Sequence, residues 1–170
     1  QYTDEAKHSW LQLNFGIDYY FNFSKKFTLG VKGESVISSK GFFNNYTSTL
    51  IQAPAFTPTP QSKTVFNEAL RANQFVAGGI VPIWNVLSNL QLRGEFYGFV
   101  PFYKILRGPN DKPYYGNFMS SFSYLGEVSL VLTLPFGSLS MYVNKYSYPS
   151  DNWNFGVTFG ILMYNPKFFE

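Results

Sequence analysis

The chain is 170 residues long, enough for one domain, and it combines 45% hydrophobic and 21% aromatic residues with only 14% charged residues. In soluble domains roughly a quarter of the residues are charged. A chain with so few charges is expected either to associate with other proteins or to lie in lipid. Its net charge of +3 is scattered, which does not fit a nucleic-acid-binding surface, and the lack of cysteine excludes disulfides and thiolate metal sites.

Apolar and polar residues alternate with period two almost throughout the chain, and this alternation predicts seven β-strands. In chain order, their approximate ranges are residues 9–23, 27–39, 74–86, 90–104, 120–136, 138–147 and 152–164. The first places Phe15 and Ile17 on one face and Asp18 on the opposite one. The third is apolar on both faces, and Pro82 weakens it as a central strand because proline cannot donate to a sheet.

The length of these strands points to a membrane. Several alternate over about 13 to 17 residues, whereas globular strands have about 5–6 and a tilted membrane strand needs about 9–11. Aromatic residues such as Trp10, Phe102 and Trp153 collect near strand ends, as in the interfacial girdles of transmembrane barrels. The sequence therefore predicts an all-β, antiparallel transmembrane β-barrel in a bacterial outer membrane, with membrane lipids as partners.

A soluble β-sandwich or a lipocalin-like barrel is the alternative, because its strands alternate too. In a soluble barrel the apolar face packs inward and the outer face is rich in charge. Here the polar face consists mostly of Asn, Ser, Thr, Gly and Gln, which suits a wet or hydrogen-bonded interior. The composition of the polar face favours the membrane barrel.

Short and long connections alternate along the chain. The short ones are residues 24–26, 87–89 and 137, and the long ones are 40–73, 105–119 and 148–151. Outer-membrane barrels have short periplasmic turns and longer outer loops, so the last strand ends on the periplasmic side. Closed barrels of this kind normally have an even number of strands, so seven strands predict that residues 1–170 are one incomplete domain, the C-terminal part of a larger barrel. An eighth strand around "TSTLIQAPAF", within 40–73, would instead close an eight-stranded barrel.

Signals of catalysis are missing. There is no G-x-S-x-G elbow, and the only histidine, His8, is expected at the surface. A single histidine excludes a histidine-based metal site. We therefore expect no catalytic, metal-binding or cofactor-binding residue, and the chain itself is not predicted to be an enzyme.

Charged residues on the polar faces are the candidate site. Opposite charges inside a barrel can pair, whereas an unpaired one is costly, so we expect a salt-bridge lattice that fixes barrel shape rather than a conducting pore. The residues predicted to face the interior are Asp18, Lys32, Glu34, Arg93, Glu95 and Glu127.

Residues 49–84 and 89–102 resemble the C-terminal barrel of patatin-like phospholipases from Bacteroidetes, whose membrane part resembles the BamA/TamA superfamily. The resemblance implies that these are the last seven strands of a sixteen-stranded barrel, inserted by the barrel-assembly machinery. It also implies that the chain anchors a lipase domain whose serine and aspartate lie outside these 170 residues, and it leaves open whether the chain translocates that domain as well. A self-contained eight-stranded barrel for adhesion or support, and part of a pore or transporter, are the alternative functions.

The resemblance also assigns a role to the 40–73 connection. In the BamA superfamily the corresponding loop folds back into the barrel and carries an Arg-Gly-aromatic motif that contacts acidic groups on the inner wall. Arg71, in "LRANQF", takes the place of that arginine, although Ala72 replaces the glycine. Glu95 and Glu127 are its expected partners.

Overall fold

Long antiparallel strands, paired side by side, dominate the computed structural model, which describes residues 9–147 and 153–161. The strands are β1 (Gln12–Asn22), β2 (Phe27–Ser38), β3 (Gln74–Leu87), β4 (Leu90–Pro101), β5 (Tyr103–Arg107), β6 (Pro113–Phe118), β7 (Ser123–Leu134), β8 (Gly137–Tyr146) and β9 (Trp153–Ile161). The main sheet has the order β1-β2-β3-β4-β7-β8-β9, and β5 pairs with β6 in a separate hairpin.

All seven predicted strands are confirmed as members of the antiparallel sheet, with ends trimmed by a few residues. The hairpin of β5 and β6 lies where the sequence predicted an irregular connection. The predicted ends of the last strand, the 148–151 connection and His8 lie outside the described residues.

The alternative of an eighth strand around residues 47–56 is wrong. This stretch instead begins with the helix α1 (Tyr46–Gln52), because the side chain of Asn45 caps its first turn by accepting a hydrogen bond from the backbone of Ser48 at 2.7 Å. In the part of the chain that the structure describes, β1 and β9 are the two edges of the main sheet and do not pair with each other, so the sheet is not closed into a barrel.

One face of the sheet is covered by residues 39–73, which we call the return segment. It consists of α1, two short turns of 3₁₀ helix (Gln61–Lys63 and Glu68–Leu70) and irregular chain. Its Phe56 is buried against the ring of Phe75 at 6.3 Å, Tyr97 at 5.7 Å and Phe99 at 6.2 Å between centroids. The main hydrophobic core therefore lies between the sheet and the return segment. We call this side of the sheet the covered face.

The opposite side, which we call the open face, carries the apolar register of every strand. One row of neighbours crosses all seven strands, and its members are Tyr19, Val31, Ile80, Phe96, Gly126, Lys145 and Trp153. Many large side chains on this face are exposed, from 39% for Val31 to 87% for Phe155. The sheet thus exposes its apolar side and buries much of its polar side. Within the described ranges, no helix has the length and apolar character needed to cross a membrane.

Candidate functional site

Three of the charged residues predicted for the interior, Arg93, Glu95 and Glu127, lie together on the covered face, where β4 lies beside β7. Period-two alternation places Arg93, Glu95 and Tyr97 on this face. Glu95 is only 3% exposed, and its carboxylate lies 2.7 Å from Nε of Arg93 and accepts a 2.7 Å hydrogen bond from the hydroxyl of Tyr97. The ion pair expected from the lattice of charges is therefore present between neighbours on one strand.

Glu127 is the second buried carboxylate, directly opposite Glu95 in the register of β4 and β7. It is 3% exposed and accepts a hydrogen bond of 3.2 Å from Nδ2 of Asn144 on β8. The side chain of Thr59 in the return segment lies close to this carboxylate. Two carboxylates thus lie side by side, and the second is held by neutral groups rather than by a cation.

A tight turn in the return segment positions Thr59 for this contact. The backbone N–H of Thr59 donates to Oγ of Ser62 at 3.0 Å, and the backbone N–H of Ser62 donates to Oγ1 of Thr59 at 3.1 Å. Both residues are buried. Because these reciprocal bonds are local, the turn itself fixes the orientation of the Thr59 hydroxyl toward the sheet.

Lys32 makes a second link between the sheet and the return segment. Its ammonium lies 3.9 Å from the carboxylate of Asp18 and donates to the carbonyl of Pro58 at 3.4 Å. Glu34 lies two residues further along the same face of β2 and is partly buried. Asp18, Lys32 and Glu34 therefore lie on the covered face as predicted, on strands β1 and β2 rather than in the central cluster.

Arg71 does not pair with Glu95 or Glu127, the partners that the family resemblance implied. Its Nη1 donates to the carbonyls of Ile51 at 3.0 Å and Ala53 at 3.2 Å, and its guanidinium stacks 4.6 Å from the centroid of Phe66. Burial lowers the pKa of this guanidinium from its ordinary value. Arg71 therefore links two parts of the return segment, because it donates to carbonyls at the end of α1. The arginine that reaches a buried carboxylate is Arg93.

Chemically, this arrangement is a bonded network between two layers. Phe56 of the return segment packs against Tyr97, which bonds to Glu95, and Pro58 accepts a hydrogen bond from Lys32. Among residues 9–147 and 153–161, no three His, Cys, Asp or Glu side chains are grouped so as to hold a metal ion. These contacts support a structural role: they hold the return segment against the covered face of the sheet.

Sequence reasoning missed three members of this network. Tyr97 and Asn144 point to the same face of the sheet as the two carboxylates, so the period-two alternation of their strands could have identified them. Thr59 lies in irregular chain, and its contact depends on how the return segment folds, for which the local sequence carries no periodic signal.

Comparison with known proteins adds no assignment: no family model matches the chain, and no curated protein or solved structure matches it either.

Proposed function

We propose that this chain is the membrane-spanning part of an outer-membrane β-barrel, with the open face toward lipid and the covered face toward a filled interior. The observation that carries the proposal is that the exposed face of the sheet is apolar and the covered face is polar, the reverse of a soluble protein. A continuous apolar surface crosses seven strands and is exposed, while buried carboxylates lie under the return segment on the other side. Exposed apolar patches larger than a few hundred Å² are rare on soluble monomers and mark an interaction surface.

Strand length favours lipid over a second protein layer. Strands β1, β2, β3, β4 and β7 have 11 to 14 residues, and β8 has 10. A tilted strand needs about 9–11 residues to cross the hydrocarbon, so each is long enough. A soluble sandwich would present its apolar face to a second sheet and its polar face to water, whereas here the return segment covers the polar face.

The two sheet edges set a condition on this proposal. Unpaired backbone groups of β1 and β9 are not tolerated in hydrocarbon, so further strands have to pair with both edges. We propose that these strands come from other parts of the same protein or from another chain, and that the barrel-assembly machinery joins them during insertion. The resemblance to patatin-like phospholipases suggests sixteen strands in the complete barrel.

We propose further that the barrel anchors a patatin-like lipase domain outside this chain and takes part in its translocation. The filled covered face supports anchoring over an open pore, because Phe56 and Thr59 occupy the interior next to Glu95 and Glu127. Mass analysis of the protein extracted from membranes tests this role. A mass well above 19.5 kDa, with a lipase domain in the excess, is expected. A membrane protein without such a domain would contradict the anchoring role and leave the barrel proposal intact.

Tryptophan fluorescence tests the membrane placement itself. Trp84 and Trp153 are 57% and 68% exposed on the open face near opposite ends of the sheet. In variants that keep only one of these two tryptophans and carry Trp10→Phe, vesicles of brominated phosphatidylcholine should quench the remaining indole strongly, because bromine atoms on acyl chains reach only side chains in contact with lipid. Unbrominated vesicles are the control. Equal fluorescence in both kinds of vesicle would refute the proposal.

A further inference from the structure

We infer that the return segment and β8 together form a binding site for one small inorganic anion, of the size of chloride, held by Arg71, Asn67 and Tyr146. The inference goes beyond the proposed function and does not depend on it, because the site lies under the return segment rather than on the open face. The bound ion would add to the contacts that hold the return segment on the covered face.

Arg71 brings a positive charge that no described carboxylate matches. Its Nη1 donates to the backbone carbonyls of Ile51 and Ala53, which are neutral. Among residues 9–147 and 153–161, the ion pairs of the chain involve other cations. The Nε of Arg71 is buried and has no hydrogen-bond partner within those ranges. Because a charge shielded from water is costly unless an opposite charge compensates it, the guanidinium favours a counter-ion beside Nε.

Asn67 and Tyr146 add two further buried donors. Asn67 is 5% exposed, and its Oδ1 accepts a 2.9 Å hydrogen bond from the backbone N–H of Ala69. This bond fixes which end of the amide is the nitrogen, and Nδ2 is buried without a partner in the described part of the chain.

Tyr146 is also 5% exposed, and its buried hydroxyl makes no hydrogen bond of acceptable geometry to any described residue. The side chain of Thr59 lies close to this hydroxyl. A phenol that accepts from Thr59 keeps its own proton to donate, so Tyr146 remains available as a donor.

The three side chains line one small cavity between the return segment and β8. Phe56 and Leu70 form apolar parts of its wall. The centre of a water-sized sphere can move through about 10 Å³ of this cavity, which is room for a single small ion or water molecule. A water molecule would meet the three donors but would leave the guanidinium charge uncompensated, whereas a monatomic anion meets both needs.

Hydrogen exchange of the detergent-solubilised protein tests the site, with sodium chloride and sodium gluconate of equal ionic strength as the two conditions. Backbone amides of residues 55–72 should exchange roughly tenfold more slowly in about 0.3 M chloride, as expected for a Kd of about 30 mM, because the ion binds only while the segment is docked. Bromide should act like chloride. Sulfate should act like gluconate, because it is too large for the cavity.

Three variants separate the site from a general salt effect. Asn67→Asp keeps an oxygen for the backbone of Ala69 and places a carboxylate beside Arg71, so exchange should be slow in gluconate already and insensitive to chloride. Tyr146→Phe removes one donor and should weaken the chloride effect. Lys63→Ala, an exposed position of the same segment, is the control and should leave the chloride effect unchanged.

Two results would overturn the inference. Equal exchange of the unmodified protein in chloride and gluconate would mean that water meets the three donors. A chloride effect of the same size in Asn67→Asp would mean that the salt acts elsewhere. Neither result bears on the membrane placement, which quenching of Trp84 and Trp153 by brominated lipid tests separately.

Discussion

At the scale of single residues, the central question is how the covered face tolerates Glu95 and Glu127 side by side. Each is 3% exposed, and they are direct neighbours across β4 and β7. Burying two like charges is costly unless ion pairs and hydrogen bonds compensate. Arg93 supplies the ion pair, and Tyr97 and Asn144 supply hydrogen bonds, so the stability of the two buried carboxylates depends on Arg93.

Replacing that cation tests its contribution. Arg93→Met should lower the free energy of unfolding by about 1–3 kcal/mol, because an oxygen of Glu95 would stay buried without its partner. Urea titration of the protein in lipid vesicles, followed by tryptophan fluorescence, measures the change. Adding Glu95→Gln to Arg93→Met should restore part of the loss, since the neutral amide removes the buried charge.

A matched control for Arg93 is available on the hairpin. Arg107 and Asp111 form an exposed ion pair of 3.1 Å, so Arg107→Met should change the free energy of unfolding by no more than about 0.5 kcal/mol. If Arg93→Met cost no more than this control, the buried lattice of charges would have no role in stability.

Gly79 is a second residue whose identity the packing dictates. A Cβ at Gly79 would overlap the carbonyl oxygen of Phe96 and lie 2.8 Å from Cα of Tyr97, which is backbone and cannot rotate away. Gly79→Ala should therefore destabilise the protein by about 1–3 kcal/mol, through separation of β3 from β4. Gly16→Ala is the control, because its Cβ would meet nothing closer than 4.0 Å. The same urea titration should show almost no change for it, and equal losses for the two variants would refute the packing argument.

At the scale of elements, the sequence predicted what repeats with a local period and missed what depends on tertiary contact. The strands of the main sheet alternate strictly, so their positions were predicted. Even β3 forms as predicted despite Pro82, which pairs with Leu29 on the β2 side, while the pairing of β3 with β4 skips residues 81 and 82. The return segment was predicted to fold inward only through the resemblance, and its helix, its turn at Thr59 and the carbonyl partners of Arg71 were not predicted, because no repeating pattern encodes them.

The return segment should dock through Phe56. Phe56→Ala removes the ring that contacts Phe75, Tyr97 and Phe99, and burial losses of this kind cost about 3–5 kcal/mol. We expect hydrogen exchange of backbone amides in residues 45–73 to accelerate roughly a hundredfold or more, while the amides of β7 and β8 stay protected.

The control for Phe56 lies in the same segment. Phe43 is 43% exposed, so Phe43→Ala should leave exchange in residues 45–73 nearly unchanged. If Phe56→Ala behaved like Phe43→Ala, contacts other than this ring would hold the segment on the sheet. Faster exchange throughout β7 and β8 would mean that the sheet and the segment unfold as one unit.

At the scale of the whole molecule, the two faces of the sheet differ in the solvent that suits them. Polar groups of the covered face are matched by the return segment, whereas the open face has no protein layer against it in the described residues. Neighbouring positions on one strand should therefore respond in opposite ways to the same charge. Val157 lies on the open face at 61% exposure, and Thr158, the next residue of β9, points to the other side.

Val157→Lys should destabilise the inserted protein by about 2–4 kcal/mol if its position lies near the middle of the bilayer, because the ammonium would enter hydrocarbon. Thr158→Lys should cost much less, because its side chain points to the polar, covered face of the sheet. Flotation with vesicles gives the inserted fraction, and urea titration of that fraction gives the free energy. Equal tolerance of both variants would mean that the two faces meet the same solvent, which a membrane-spanning sheet does not allow.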